Sequence, residues 1–242
     1  MSASRRLFRT FATAAAAVAL MGSEVAAAQQ PAMDPDNPTC PANPNVSTYH
    51  EMHFTVQQVD GKTVLLAEGY VDDNLIPRLQ AALRDDRIEE IWLRSPGGDA
   101  RAGNAAGKII RDAMIPTRIP DGWACFSACN FMFMGGVVRY VDPGGLFVVH
   151  MFTHVGDKEA VRSELNKGTD NAIGLIGDVE QDSAMLASED NDFLIRMGVS
   201  RKLLTDVMYQ QKAVAEGKDK STRRCLTQDE DFRYNVATKI LN

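Results

Sequence analysis

Two strand-to-helix turns and a strand that ends in histidine constrain this chain more than any other feature. Ile91-Trp92-Leu93-Arg94 is strand-like and runs into Ser95-Pro96-Gly97-Gly98, after which Ala100 to Met114 has helical composition. Cys125-Phe126-Ser127-Ala128-Cys129 follows a second apolar stretch and precedes Phe131-Met132-Phe133-Met134-Gly135-Gly136, so it reads as an elbow with serine at its apex. Gly145-Leu146-Phe147-Val148-Val149-His150 reads as a buried strand closing on histidine. Strands alternating with helices in this way require crossover connections around a largely parallel sheet.

The same segments carry chemistry. A serine at such an elbow projects its oxygen from the backbone, and the amides of the following helix turn point toward negative charge developing nearby. Adjacent glycines, Gly97 and Gly98, let backbone amides approach a ligand closely, as an oxyanion hole requires. Near neutral pH an imidazole takes a serine proton and returns it to a leaving group. Taken singly, Pro96-Gly97-Gly98 is an ordinary turn, Ser127 a helix-start serine and His150 a hydrogen-bonded core histidine. Their order is what gives them weight.

That order resembles the proteolytic subunit of the Clp protease, within the wider Clp/crotonase fold. In that family a strand ending in Ser-Pro-Gly-Gly supplies oxyanion amides, a serine starts the central helix, and a histidine closes a later strand. The matching positions here are Ser95 to Gly98, Ser127 and His150. The likeness begins near Thr63, where Val64 to Val71 is similar to the family's first core strand, and runs to His150. It weakens there and returns at Cys225-Leu226-Thr227-Gln228-Asp229-Glu230. The resemblance implies an α/β fold, a Clp/crotonase-like spiral of ββα units with a largely parallel sheet flanked by helices. It implies a serine endopeptidase in which Ser127 attacks a peptide carbonyl, His150 carries the proton, and the amides of Gly97, Gly98 and Ala128 hold the oxyanion. A homo-oligomer is implied as well, with a helix beyond residue 173 where family members stack their rings.

The third catalytic member departs from the family. An aspartate is expected a few residues before the closing segment, but Ser221-Thr222-Arg223-Arg224 stands there, with Arg223 about where the acid belongs. Asp219 is the nearest carboxylate and the expected third member. Asp190 is its rival because it falls on the apolar stripe of the long helix, where an unpaired carboxylate is costly; beside Glu189 and Asp192 it also reads as a helix-surface acid. Without an acid a serine and histidine would still work, more slowly, since the acid orients the imidazole and fixes its tautomer. Neither a metal nor a cofactor is expected. His150 and His154 have helical spacing but follow a strand-like run, and His50 and His53 fall on opposite faces of an early strand. Lys108 reads as a surface lysine rather than the base of a Ser-Lys pair.

The first residues point to export. Arg5, Arg6 and Arg9 precede an apolar run from Phe11 to Met21, and Ala26-Ala27-Ala28 offers a cleavage site before Gln29. This reads as a signal peptide over residues 1–28, too short in its apolar run to span a bilayer, which needs about 20 residues. Ser4-Arg5-Arg6-Leu7-Phe8 also resembles a twin-arginine signal, and both export routes stay open. The expected location is therefore periplasmic or secreted, with no membrane span in the mature chain. The leader holds three of the 26 basic residues and one of the 32 acidic ones, so the remainder is more acidic than the net −6 of the whole chain. An acidic chain repels phosphate backbones, which argues against nucleic acid.

Four cysteines in an exported protein are expected to pair, and the simplest pairing joins Cys40 to Cys225 and Cys125 to Cys129. Gln29 to Ser47, with five prolines, reads as part of a flexible lead-in over 29–48, and 49–242 as one domain. Alternation from Tyr49 predicts an early strand, an Asp60-Gly61 turn, and a strand from Thr63; Leu75, Ile76, Leu79 and Leu83 predict a helix. Gly156 to Asn171 reads as a surface loop or partly formed helix. A long helix follows from Ile173 to near Gly198, then a second helix capped by Ser200.

The expected activity is ATP-independent cleavage of peptides or unfolded chains, since no ATP drives an unfoldase outside the cytoplasm; no ATPase partner is expected. Two other classes stay open: a binding or scaffold protein that keeps the fold without hydrolysis, and a crotonase-like enzyme that holds a thioester enolate on the glycine amides.

Overall fold

The computed structural model describes residues 32–35, 37–84, 87–153, 158–213 and 221–238, and these form an α/β fold with mixed sheets flanked by helices. The leader lies outside the described residues. Within the stretch expected to be a flexible lead-in, β1 (Met33–Asp34) and β2 (Asn37–Pro41) pair antiparallel. Prolines exclude helix there without excluding extended pairing at a sheet edge. A disulfide from Cys40 to Cys225 and a bond from Ala124 N–H to Asn45 O (3.0 Å) tie this segment down.

β3 (His53–Val59) and β4 (Lys62–Glu68) are antiparallel across the Asp60-Gly61 turn, whose φ values of 51° and 79° suit a tight hairpin. Val64 to Ala67 of β4 are all buried, the continuous apolar run of a strand covered on both faces. After α1 (Leu75–Ala82) the chain enters β5 (Glu90–Arg94), α2 (Ala100–Asp112), β6 (Thr117–Ile119), β7 (Ala124–Phe126), α3 (Ala128–Gly135), β8 (Arg139–Val141) and β9 (Leu146–His150). The main sheet runs β3-β4-β5-β6-β8, parallel from β4 onward. A second sheet pairs β7 and β9 in parallel and adds β10 (Arg223–Cys225) antiparallel to β9. Besides the β1–β2 pair, the expected largely parallel sheet is thus divided, among the described residues, into two mixed sheets. They meet where Ser95, just past β5, bridges Cys125 of β7.

The helices are placed by small residues. Asp99 caps α2, its Oδ1 accepting from Ala102 N–H at 2.6 Å. Gly103 and Gly107 of α2 lie directly on α3: a Cβ would stand 2.4 Å from Ala128 O at the first and 2.3 Å from Phe131 O at the second. The two helices therefore approach backbone to backbone, which fixes where α3 begins. At the other end of α3, Arg111 donates to the carbonyls of Met134 (3.1 Å) and Gly135 (2.8 Å), and the buried Arg139 donates to Gly136 O (3.0 Å). Cations at a helix C-terminus satisfy its orphan carbonyls and complement its dipole.

α4 (Lys158–Lys167) occupies part of the stretch read as loop or partial helix, and α5 (Thr169–Met197) is the long helix. Only the last turns of α5 dock, through Phe193, Leu194 and Met197, while Ile173 and Ile176 of the expected stripe are exposed. The segment after Ser200 is not the α-helix expected but a π-helical turn, Leu203–Val207, followed by a short 3₁₀ turn, Met208–Gln210. Leu203, Leu204 and Val207 face inward as expected. α6 (Gln228–Arg233) starts at Thr227 with a capping box to Glu230. Among the described residues no helix is long and apolar enough to cross a membrane.

Candidate active site

Ser127 stands between β7 and α3 with φ 56° and ψ −123°, in a region that a β-carbon disfavours. The surrounding contacts hold it there. Cys125 and Cys129 form a disulfide across the serine, Ser127 N–H reaches Val148 O at 3.4 Å, and Asn130 N–H bonds Ser127 O at 2.9 Å. Asn130 Nδ2 donates to the same Val148 carbonyl at 2.7 Å, which locks the first turn of α3 onto β9. Both disulfides have the pairing expected from sequence.

Gly97 packs against the elbow with φ +89°; a Cβ there would lie 2.5 Å from Ser127 Cβ and 2.6 Å from Phe126 O. Only glycine fits both the conformation and the gap. Its amide, however, donates to Ser95 Oγ at 3.0 Å. Gly97 is therefore a spacer here, its N–H already engaged. The amide of Gly98 and that of Ala128, the first residue of α3, have no acceptor among the described residues.

His150 closes β9, where Arg223 of β10 is its register partner. The guanidinium of Arg223 turns away, to Asp34 Oδ2 (3.2 Å) and Ala42 O (3.3 Å). The imidazole instead meets Ser221: His150 Nδ1 and Ser221 Oγ are 3.3 Å apart. Ser221 is buried and donates its single hydroxyl proton to Thr222 O at 3.1 Å. With that proton given to Thr222 O, the Ser221 oxygen accepts from the ring in the tautomer that carries its proton on Nδ1, the tautomer in which Nε2 is the basic nitrogen. The Phe126 ring stacks on the imidazole, centroids 5.0 Å apart and planes 17° from parallel.

Ser127 and His150 line one cavity of about 630 Å³. Its wall also includes Gly98, Ala128, Phe131 and Ser221 near the serine and histidine in sequence or contact, and Asp190 from α5. Ser127 Oγ makes no hydrogen bond among the described residues, so hydroxyl and imidazole share the cavity without a hydrogen bond between them.

Of the candidate acids, Asp219 lies outside the described residues, as does His154. Asp190 shares the cavity with His150 but does not bond it; burial, with the Glu189 carboxylate beside it, pushes Asp190 up to about 7. Lys108 is exposed on α2 and is not part of the cavity wall. Among the described residues no three metal-ligating side chains converge. Sequence reasoning missed Ser221 and Asn130. Neither stands in a recognisable motif, and each acts through a partner that the fold brings from far along the chain.

No family model matches the chain, and no curated protein matches it. Solved structures do. ClpP1 from Listeria monocytogenes superposes with a TM-score of 0.47 at 13% identity, over 72% of this chain and 88% of that one. A point mutant of the same protein gives 0.44 at 14% identity, over 72% and 88%. A serine-to-alanine mutant of the 1510-N membrane-bound stomatin-specific protease gives 0.43 at 15% identity, over 72% and 75%. Each is a likeness of fold at low identity, and says nothing of what this chain acts on.

Proposed function

We propose that this chain is an exported serine peptidase of Clp/crotonase-like architecture that cleaves peptides or unfolded chains without ATP. The observation that carries the proposal is the elbow: a serine in a strained conformation, bracketed by a disulfide, opening on the cavity that a histidine with an engaged Nδ1 also lines. Strain of this kind persists only where the surroundings impose it, and it is a recurring mark of reacting groups. In the proposed reaction Nε2 of His150 takes the Ser127 proton as Oγ attacks the carbonyl carbon. The developing oxyanion is held by Gly98 N–H and Ala128 N–H, the second backed by the N-terminus of α3. The imidazolium then returns the proton to the leaving amine. Closing the hydroxyl-to-imidazole gap is assigned to substrate binding, since catalytic hydrogen bonds commonly tighten only in the complex. Ser221 orients the imidazole, and Asp219 stays the candidate for the acid. Assembly into a homo-oligomer and a periplasmic or secreted location belong to the same proposal.

Labelling with a fluorophosphonate probe tests it. Wild-type protein should label at one serine, and Ser127→Ala and His150→Ala should each abolish labelling; label that survives both substitutions refutes the assignment. A non-catalytic binding protein is the second reading, favoured by the open gap at Ser127 and by an arginine opposite His150. It predicts a folded wild type that never labels.

A further inference from the structure

Part of the wall of the cavity that holds Ser127 is one stripe of α5. Leu186, Asp190 and Leu194 succeed one another at four-residue spacing, so they rise along a single helix face into the cavity. Leu203, Leu204 and Met208, from the turns that follow α5, also line it. Asp190 is thus a carboxylate set between leucines on the α5 side of the cavity. Among the described residues it has neither a hydrogen-bond donor nor an ion-pair partner, and no lysine or arginine lines the cavity. The other carboxylate of the wall, Asp99, is occupied as the cap of α2. The π-helical turn at Leu203–Val207 lies beside it, and such irregular turns are over-represented where side chains are aimed at a site.

A lone carboxylate at such a position is unfavourable for folding and gains most from a cation delivered by a ligand. An apolar wall leading to it suits the methylene stem of a lysine or arginine, whose charge would then reach the acid. We propose that Asp190 is a specificity-determining residue: it makes this cavity a receptor for a cationic peptide side chain, lysine or arginine, with Leu186, Leu194, Leu203 and Met208 flanking the stem. This assigns a substrate class to the peptidase site and rests on the reading of Ser127 and His150 as its working end.

The charged state of Asp190 supplies a second signature. Its carboxylate is half protonated near pH 7, so a permanently charged ligand should bind more tightly as pH rises through that value and level off above it. The titratable groups that face Asp190 are Glu189 on the same helix and Tyr209, whose hydroxyl is pushed up by burial and by Asp190 itself; His150 and Asp99 share the cavity. The Asp190 part is the portion of the pH dependence that disappears in Asp190→Asn.

The test is isothermal titration of the whole protein with 4-aminobenzamidine and with its neutral counterpart 4-aminobenzamide, in wild type, Asp190→Asn and Asp190→Leu. We expect wild type to prefer the amidine by about tenfold or more, the usual worth of a hydrogen bond to a charged group. Asp190→Asn should erase that preference while leaving the amide's affinity unchanged, and Asp190→Leu should favour the amide. Acetyl-arginine amide should compete with the amidine and glycine amide should not, which separates a side-chain cation from a peptide amino terminus. Equal amidine affinity in wild type and Asp190→Asn, or no amidine preference in wild type, overturns the proposal. Fluorophosphonate labelling of the same samples keeps the two readings apart. Labelling without Asp190-dependent binding defeats only this proposal, and Asp190-dependent binding without labelling defeats only the peptidase.

Discussion

Gly97→Ala is the most searching single substitution, because it separates two costs that the structure states individually. The backbone at residue 97 has φ +89°, which for an alanine costs about 1–2 kcal/mol. The new Cβ would stand 2.5 Å from Ser127 Cβ and 2.6 Å from Phe126 O, neither of which is the end of a flexible side chain. Forcing them apart adds about 1–3 kcal/mol, as overpacking in a close-fitted core does. A total of about 2–5 kcal/mol is a large part of the about 5–15 kcal/mol that holds a domain together. At about 2–4 °C per kcal/mol for this size, Tm should fall by about 4–20 °C. Gly61→Ala is the matched control: φ is +79° but a Cβ would meet nothing within 4 Å, so it carries the backbone cost alone. Thermal unfolding by circular dichroism measures both. The fluorophosphonate labelling rate measures the second consequence, since displacing Ser127 by about 1 Å is worth about a hundredfold in rate. Gly61→Ala should label normally. If Gly97→Ala melts with Gly61→Ala and labels at the wild-type rate, the account of the elbow as a close-fitted, strained turn is wrong.

Four further outcomes are expected. Ser221→Ala removes the Ser221 oxygen from His150 Nδ1 and should slow labelling by about tenfold or more with little change in Tm, whereas Ser221→Asp, which restores an acceptor there, should recover the labelling rate. Replacing Cys40 and Cys225 by alanine releases a loop of 185 residues and should cost about 5 kcal/mol, against about 2 kcal/mol for the four-residue separation of Cys125 and Cys129, whose loss should be felt more in labelling than in denaturant midpoint. Gly107→Ala drives a Cβ to within 2.3 Å of Phe131 O and should destabilise by about 1–3 kcal/mol in chemical denaturation. Finally, burial and then the neighbouring Glu230 carboxylate push Asp231 up to about 8, far above its value in an unfolded chain. Between about pH 4 and 8 the unfolded chain releases a proton that the folded one keeps, so stability should fall across that window and level off above it. Asp190 contributes with the same sign up to about 7. In Tm against pH, Asp231→Asn should flatten the slope.

What the amino-acid order determined by itself is local and covalent. The Asp60-Gly61 turn, the starts of α2 and α3 and the long helix ending at Gly198 follow from backbone preference and periodicity, which act over a few residues. The pairing of Cys40 with Cys225 and Cys125 with Cys129 was also legible, as the simplest closure of four thiols. What the fold decided is everything that depends on distant segments meeting. Proline content signalled an unstructured lead-in, yet Cys40 and Asn45 reach the second sheet and hold that segment. The motif offered Gly97 as an oxyanion donor, but the packing of Ser95 beneath it occupies its amide. Arg223 did fall opposite His150, and the β9–β10 register brought Ser221, two residues earlier, to the imidazole. The apolar stripe of α5 is periodic along its length, but only its C-terminal turns find a surface, and there the helix turns Asp190 into the cavity. Hydrogen-bond occupancy and cavity walls are properties of pairs of surfaces, and no single stretch of chain contains both halves.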